Sequence, residues 1–232
     1  MPALKTLSES ELLEKQAQRL KQIELFEGLP EQVLIELVAL MKEVPCPKNK
    51  LIISQGDNTR SLFIIIEGRL KVFAADEEGN QTIFTFLGQS DYFGELSLLD
   101  DAPRSASVSA VEDSKMLKLD YQKFSVFLEK HPQVCWPLFK SLTTQIRKMD
   151  ETICTLTSKD TYGRLIQVLR NEAKEQPDGS LMTQRITHQE LADMIGASRE
   201  MVSRIFKALK QGGYIEVINK QVILRKKLPS HW

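Results

Sequence analysis

An apolar stripe in the second half of the chain limits the possible folds more than any other part of the sequence. Its six members follow one another at steps of three, four, three, four and three: Phe139, Leu142, Ile146, Met149, Ile153 and Leu156. This spacing is typical of a coiled-coil seam on a long helix. A helix buried in its own domain is the alternative, but charged neighbours leave the stripe narrow, as a two-helix contact requires. The stripe predicts a homodimer and a dimerisation helix at residues 132–158.

The part before the stripe has the residue pattern of a β-domain. Short runs rich in β-branched and aromatic residues alternate with single glycines between residues 45 and 119. These runs are Leu51–Ile53, Leu62–Ile66, Leu70–Phe73, Thr82–Phe86 and Met116–Leu119. Such spacing predicts an antiparallel barrel or sandwich. Helical periodicity at residues 8–42, broken at Glu27–Pro30, predicts helices before it. Residues 1–131 are therefore assigned to N-terminal helices and a β-barrel.

The part after the stripe predicts a winged helix-turn-helix at residues 159–232, which makes the whole chain an α+β protein. Thr187 and Glu190 have the spacing of a capping box, and Gly196 marks the end of that helix. A three-residue turn then leads into a helix from Arg199 to about Gln211. The hairpin around Asn219-Lys220 forms the wing.

The second of these helices carries side chains suited to DNA bases. An arginine can donate two parallel hydrogen bonds to guanine, and a glutamate can accept one from cytosine. Residues 163–232 hold 12 Lys and Arg against 7 Asp and Glu, which favours a polyanionic partner. The predicted partner is therefore double-stranded DNA. For His188 the alternative is an ordinary surface histidine without a DNA contact. The predicted contact residues are Thr187, His188, Gln189, Ser198, Arg199, Glu200, Arg204 and Lys207.

A second cluster of functional residue types lies in the β-region, at residues 92–108. Gly94 permits close backbone approach, Arg104 can clamp two phosphate oxygens, and Ser105 can donate a further bond. Glu95 only accepts, so it suits a sugar hydroxyl. The cluster predicts a site for a phosphorylated sugar. The alternative is that Glu95 and Arg104 simply neutralise each other across a loop.

From about Phe26 to Arg225 the sequence resembles the Crp/Fnr family of bacterial transcription regulators. The resemblance rests on Phe93–Ser97 with Pro103–Ala106, and on Ile186–Glu190 with Gly196–Arg204. It implies a jelly-roll barrel of the cyclic-nucleotide-binding type, cyclic AMP as effector, RNA polymerase as a further partner, and a TGTGA-like palindrome as the DNA site. The residues implied to bind the ligand are Gly94, Glu95, Leu96, Ser97, Arg104, Ser105, Met149 and Asp150.

Two residues depart from the family pattern. Cyclic-AMP-binding members carry Thr followed by Ser or Asn where this chain has Met149 and Asp150. Met149 cannot replace a hydroxyl, although Asp150 can accept a hydrogen bond from an adenine amino group. Another cyclic nucleotide, or activity without a ligand, therefore stays open. Met201 replaces a family Thr, so preference at one operator base can differ.

Composition excludes several other classes. The chain has 31 Lys and Arg against 31 Asp and Glu, 42% hydrophobic residues and a charged start without a signal-peptide core, so we expect a cytoplasmic protein without a membrane segment. Three widely spaced cysteines are too few for the family's four-cysteine iron–sulfur cluster, and we expect all three to be small buried residues. We expect neither haem nor metal.

Two other functional classes are alternatives. An enzyme would have to use Glu95, Asp100 and Asp101 as acid, base or metal ligands, but no histidine or nucleophile–base pair accompanies them, so we expect no enzymatic activity. An interaction protein that uses only the paired helices is the third possibility.

Overall fold

The computed structural model describes residues 9–100 and 102–229, and the contacts between them form two compact units. One unit contains the residues up to 74 together with 85–145, and the other contains 75–84 together with the residues from 146 onward. The long helix contributes residues to both.

The first unit begins with helices that cover one face of a β-barrel. They are α1 (Glu9–Leu20) and α2 (Glu31–Leu40), separated by a 3-10 turn at Glu24–Phe26. Gly28 has a φ of +78° and Pro30 is the N-cap of α2, so the chain reverses where the sequence predicts a turn. The helix predicted to reach residue 42 ends at Leu40, because the chain from Lys42 is already paired as a strand.

Eight strands form the barrel. They are β1 (Lys42–Cys46), β2 (Leu51–Ile53), β3 (Ser61–Glu67), β4 (Leu70–Ala75), β5 (Gln81–Leu87), β6 (Tyr92–Phe93), β7 (Ser107–Ala110) and β8 (Ser114–Asp120). Two four-stranded sheets have the orders β1-β8-β3-β6 and β2-β7-β4-β5. Apart from β4 and β5, neighbouring strands in these sheets are not consecutive in the chain, which is the jelly-roll pattern.

Strand β3 explains why the longest apolar run in the barrel does not alternate with polar residues. Leu62 and Ile64 pack with the helices, whereas Phe63 and Ile65 pack inside the barrel. The rings of Phe63 and Phe93 stack there with centroids 4.9 Å apart. A strand buried on both faces requires apolar residues at every position.

Three helices complete this part of the chain: α3 (Leu96–Leu99), α4 (Tyr121–Lys130) and α5 (Cys135–Ser158). Leu138 and Ser141 of α5 are buried, whereas the apolar stripe stays open, with Phe139 55% and Ile153 57% exposed. The expectation that all three cysteines are buried is wrong for Cys154, which is exposed because no described residue covers that face of α5. Cys46 is buried and Cys135 is partly buried.

The second unit is a small mixed domain. Its elements after α5 are α6 (Thr161–Glu172), β9 (Ala173–Glu175), β10 (Leu181–Thr183), α7 (His188–Ile195), α8 (Arg199–Gln211), β11 (Ile215–Ile218) and β12 (Gln221–Leu224). The strands form one sheet in the order β11-β12-β10-β9. The hairpin of β11 and β12 turns at Asn219 and Lys220, both at positive φ, and forms the wing beside the two short helices α7 and α8.

Candidate functional site

The phosphate-binding segment predicted from the sequence starts at Gly94, directly after β6. Gly94 has a φ of +86°, and a Cβ built there would lie 2.5 Å from the Ser61 carbonyl oxygen and 2.7 Å from Arg104 Nη1. The close approach that requires glycine is therefore made, in this structure, by the Ser61 carbonyl and by the Arg104 guanidinium. Any larger residue would overlap the backbone at Ser61 and displace the Arg104 side chain.

Arg104 is only 4% exposed and is held by hydrogen bonds to two segments of the barrel, residues 59–61 and 94–97. Nη1 donates to the Gly94 carbonyl at 2.9 Å and to Ser97 Oγ at 2.5 Å, while Nη2 donates to the Ser61 carbonyl at 2.9 Å. A longer bond joins Nε to Thr59 Oγ1 at 3.4 Å. Burial lowers the pKa of Arg104, and the nearby carboxylates of Glu95 and Asp57 oppose that effect.

These bonds change how Arg104 can hold an anion. A guanidinium has five N–H groups, and the four bonds above leave one N–H on Nη2 for a ligand. The two-oxygen clamp expected from the sequence therefore requires Arg104 to exchange a bond with the protein for one with the ligand. Arg104 also ties Ser61 to the Gly94 segment, so it supports the barrel as well as the candidate site.

Glu95 is 8% exposed and immediately precedes α3. Its Oε1 accepts a hydrogen bond from Gln145 Nε2 of α5 at 3.2 Å. Burial raises the pKa of Glu95, while the bond from Gln145 and the charge of Arg104 act in the opposite direction. Within the described residues Glu95 and Arg104 form no salt bridge, although the charge of each favours the charged form of the other.

Gln145 and its neighbours are residues that sequence reasoning missed. Gln145 Nε2 also lies 3.4 Å from the Tyr92 hydroxyl, which itself bonds Ser141 Oγ. Burial is the main cause that raises the pKa of Tyr92 to about 12. Ser141 and Gln145 are four residues apart, hence on one face of α5, and this spacing is the signal that could have pointed to them.

The remaining residues predicted to bind the ligand have varied surroundings. Ser97 is buried, and its carbonyl accepts from Arg60 Nε at 3.0 Å. Leu96 and Ser105 are exposed. Met149, 63% exposed, and Asp150, also exposed, lie on the part of α5 that belongs to the second unit.

The carboxylates considered for catalysis form no catalytic arrangement that the structure describes. Asp100 accepts from the Ala102 backbone, and Asp101 lies outside the described residues.

In the second unit both short helices begin with side-chain caps. Thr187 Oγ1 accepts from the Glu190 N–H at 3.2 Å, and Glu190 Oε2 accepts from the Thr187 N–H at 2.7 Å. Helix α7 ends at Gly196, which has a φ of +62°. Ser198 Oγ then caps α8 by accepting from the Met201 N–H. The capping box, the turn and the second helix are thus where the sequence predicts them.

Helix α8 has one buried and one exposed face. Its buried residues are Val202, Ile205, Phe206 and Leu209. The exposed residues include the proposed base-contacting and phosphate-contacting side chains Arg199, Glu200, Arg204 and Lys207. This arrangement leaves the polar side chains of α8 free to contact DNA. On α7, Gln189 is exposed and donates to Asp193 at 2.7 Å.

His188 has a more specific environment than the surface histidine considered as its alternative. Its ring packs on buried Phe206, with centroids 4.4 Å apart, and Nδ1 lies 2.8 Å from Ser203 Oγ. The pKa of His188 is lowered, first by burial and then by the charges of Lys210 and Arg199.

Comparison with known proteins matches both units. Residues 43–131 match the cyclic nucleotide-binding domain family, and residues 163–228 match the Crp-like helix-turn-helix domain family. The cAMP-activated global transcriptional regulator CRP of Salmonella typhimurium is 32% identical over 184 residues, 77% of this chain and 87% of that protein. The chain belongs to the Crp/Fnr family. It is therefore a DNA-binding transcription regulator with a cyclic nucleotide-binding domain, and not an enzyme.

Another sequence relative and two solved structures are also similar to this chain. The CRP-like regulator of Mycobacterium tuberculosis is 26% identical over 204 residues, 86% of this chain and 91% of that protein. The Thermus thermophilus catabolite activator protein matches with 30% identity and a TM-score of 0.54, over 87% of this chain and 93% of its own. The c-di-GMP responsive regulator CLP of Xanthomonas campestris is 19% identical and matches with a TM-score of 0.73. The match covers 85% of this chain and 100% of that chain.

Two further findings concern residues 9–100 and 102–229 of this family member. No group of three or more His, Cys, Asp or Glu side chains there is arranged to hold a metal ion. None of the helices formed by those residues is both long and apolar enough to span a bilayer.

Proposed function

We propose that this regulator binds cyclic AMP beside Arg104 and Glu95 and, as a cytoplasmic homodimer, binds a TGTGA-like palindrome to control transcription by RNA polymerase. The observation that carries the proposal is the hydrogen bond from Gln145 to Glu95 at 3.2 Å. It joins a buried carboxylate of the cyclic nucleotide-binding domain to the helix that carries the apolar stripe. A ligand that engages Glu95 therefore acts directly on α5.

The proposed ligand contacts follow from the chemistry of each residue. Arg104 and Ser105 donate to the cyclic phosphate, together with the backbone from Gly94 to Ser97, and Leu96 covers the ligand. Glu95 accepts from the ribose 2′-hydroxyl, which competes with or adds to the bond from Gln145. Asp150 accepts from the adenine amino group.

The proposed dimer follows from the open stripe of α5. A second copy would cover the exposed side chains from Phe139 to Leu156, at steps that suit two paired helices. Helix-turn-helix dimers, the catabolite activator among them, bind half-sites about 34–36 Å apart. The arrangement of the two α5 helices would set the separation of the two copies of α8.

The proposed DNA contacts divide into bases and phosphates. Arg199 and Arg204 bind guanines and Glu200 accepts from a cytosine, which together suit the G·C pairs of TGTGA. Lys207 and the residues at the starts of the two helices bind phosphates: Thr187, His188, Gln189 and Ser198. Replacing an arginine should relax one base position, whereas replacing Lys207 should weaken all sequences alike.

A second candidate is the same regulator with another effector or with none. Met149 favours it, because a thioether cannot donate a hydrogen bond to a purine. The CLP protein, whose fold is shared, is described as c-di-GMP responsive.

The deciding experiment is a titration of the purified protein with cyclic AMP, cyclic GMP and c-di-GMP, followed by calorimetry and by anisotropy of a labelled TGTGA palindrome. We expect cyclic AMP to bind and to tighten palindrome binding relative to a scrambled duplex. A response only to cyclic GMP or c-di-GMP selects the second candidate with another effector. Tight palindrome binding that no nucleotide changes selects ligand-independent action, and binding no tighter than to the scrambled duplex overturns the TGTGA assignment.

A variant pair tests the cyclic phosphate contact. Arg104→Ala removes bonds to the Gly94 and Ser61 carbonyls, so loss of ligand binding has to be separated from loss of stability. Ser105→Ala changes an exposed side chain and should weaken cyclic AMP binding without changing the unfolding midpoint. Unchanged calorimetric affinity in Ser105→Ala removes Ser105 from the site.

A further inference from the structure

The chain beyond β12 folds back onto α6. Strand β12 ends at Leu224, and the Arg225 N–H extends its ladder by donating to the Tyr214 carbonyl at 2.9 Å. The Arg225 side chain also bonds Glu216 of β11, with Nη2 2.6 Å and Nε 2.9 Å from Oε2. We call residues 225–229 the strap, and its first residue is therefore fixed to the wing hairpin.

The far end of the strap is bound to α6. Leu228 is only 3% exposed, whereas residues 225–227 are exposed. The Leu228 carbonyl accepts from Arg170 Nη2 at 3.2 Å, and the Pro229 carbonyl accepts from the Tyr162 hydroxyl at 3.3 Å. Tyr162 lies in the first turn of α6 and Arg170 in the last. At 1.5 Å per residue these two side chains start about 12 Å apart along the helix axis, so both ends of α6 hold the strap.

The Tyr162 hydroxyl is kept in its protonated form, which can donate. Tyr162 is 4% exposed, and burial is the main cause that raises its pKa. The nearby Tyr214 and Asp160 act in the same direction, whereas Arg170 opposes them. At neutral pH the hydroxyl is therefore a donor for the Pro229 carbonyl.

Tyr162 lies next to the joint between α5 and α6. Helix α5 ends at Ser158, and Asp160 caps α6 by accepting from the Gly163 N–H at 2.8 Å. Tyr162 follows this cap by two residues. If α6 swung about the joint on its own, its bonds to the strap would break. The strap thus makes α6 and the wing hairpin move together.

This restraint bears on how a dimer binds DNA. In the proposed function the two α5 helices hold the copies together, and each α8 contacts one half-site. The separation of the two copies of α8 then depends on the angle at each α5–α6 joint. A joint that swings freely lets the dimer accept half-sites at several spacings, whereas a fixed joint selects the spacing that matches its geometry.

We propose that the strap is a conformational device: by tying the first turn of α6 to the wing hairpin, it fixes the α5–α6 joint and restricts the half-site spacing that the dimer accepts. Tyr162 is its positioning residue. The inference rests on the homodimer of the proposed function, but it depends neither on cyclic AMP nor on the TGTGA sequence.

The test is the affinity for duplexes that carry two copies of the half-site that the wild type selects from random-sequence DNA. The spacing between the copies is varied in steps of one base pair around the selected one. Tyr162→Phe deletes only the hydroxyl, and it should narrow the wild-type preference for the selected spacing by about two- to tenfold, the equivalent of one lost hydrogen bond. Leu228→Asn displaces the buried end of the strap and should narrow it at least as much. Affinity for a single half-site should stay unchanged, because α8 is unaltered.

Tyr214→Phe is the matched control. It also deletes a tyrosine hydroxyl beside the strap, but the Tyr214 hydroxyl forms no hydrogen bond with the residues that the structure describes. This variant should keep the wild-type spacing preference.

Hydrogen exchange tests the strap without requiring a dimer. The Gly163 and Arg164 amides both bond Asp160 at the joint, and in Tyr162→Phe they should exchange about two- to tenfold faster than in the wild type. Unchanged exchange in both strap variants overturns the strap as a restraint. Faster exchange in a dimer with the wild-type spacing preference overturns its role in DNA binding. A wild type that is monomeric in sedimentation and selects only single half-sites overturns the homodimer and the spacing role together.

Discussion

Gly94 and Gly56 have the same backbone conformation, with φ of +86°, but different surroundings. A Cβ at Gly56 would meet nothing within 4 Å, whereas one at Gly94 would meet the Ser61 carbonyl and Arg104. Gly56→Ala should therefore cost only the positive-φ strain of about 1–2 kcal/mol. Gly94→Ala adds steric overlap and should cost about 2–4 kcal/mol in total. Urea unfolding of both variants measures the difference, and equal costs would show that the close contacts of Gly94 with Ser61 and Arg104 do not matter.

Glu95 should make the stability of the barrel depend on pH. Burial raises its pKa in the folded protein above that of the unfolded chain, so the folded state binds its proton more tightly. The stability that this proton gives is present below the unfolded pKa and is lost as the pH rises through the folded pKa.

Glu95→Gln removes the ionisation but keeps an oxygen that can accept from Gln145. Its melting temperature should exceed that of the wild type at pH 8, and the gap should shrink toward pH 4. Glu112→Gln, at an exposed position, is the control and should show no such gap. A constant gap across the pH range would contradict the expectation.

The sequence could identify Gly94, Glu95 and Arg104 as candidates because they lie within one short motif. It could not show what holds them, because the partners are distant in the chain. Besides the Gly94 carbonyl, Arg104 binds the carbonyl of Ser61, 43 positions away, and Gln145 is 50 positions from Glu95. Local spacing carries no information on such contacts, which only the closed barrel and the docked α5 create.

At the level of elements, helices and strands with a local sequence pattern were predictable, and those without such a pattern were missed. The bounds of α7 and α8 follow from the Thr187 and Ser198 caps and from Gly196. Strand β6 has only two residues, and β7 is formed by small residues, Ser107–Ala110. Their pairing to longer strands, and not their own propensity, makes them strands.

The capping box of α7 can be tested with one matched pair of variants. Thr187→Ser keeps the hydroxyl that accepts from the Glu190 N–H, and Thr187→Ala removes it. The alanine variant should lose about 1 kcal/mol of stability and the serine variant much less. Hydrogen exchange of the α7 amides, compared with those of the barrel, locates the loss. Equal exchange rates in the two variants would mean that the cap contributes nothing.

At the scale of the whole molecule, the order of the parts was predictable and their cooperation was not. Each part of the chain is predicted by one local pattern. These patterns are the change to β-type runs near residue 45, the stripe on α5 and the caps near Thr187. The charge distribution indicates which part binds DNA. Residues 1–162 are acidic, with 19 Lys and Arg against 24 Asp and Glu, whereas residues 163–232 are basic. No local pattern states how a ligand in one unit would change the other, because in the proposed function that change depends on the pairing of two copies.

The proposed meeting of two copies can be tested on α5 with adjacent residues. Ile153 belongs to the stripe and is 57% exposed, whereas Cys154 is exposed one residue further round the helix. Ile153→Asp would bury a carboxylate from each copy in the apolar seam, and an unpaired buried charge costs several kcal/mol. We therefore expect sedimentation equilibrium to give a dimer for the wild type and for Cys154→Asp, and a monomer for Ile153→Asp at the same concentration. The monomeric variant should also lose preference for a palindrome over a single half-site, because that preference needs two linked copies of α8. A dimeric Ile153→Asp protein, or two equally monomeric variants, would place the contact between copies on another surface.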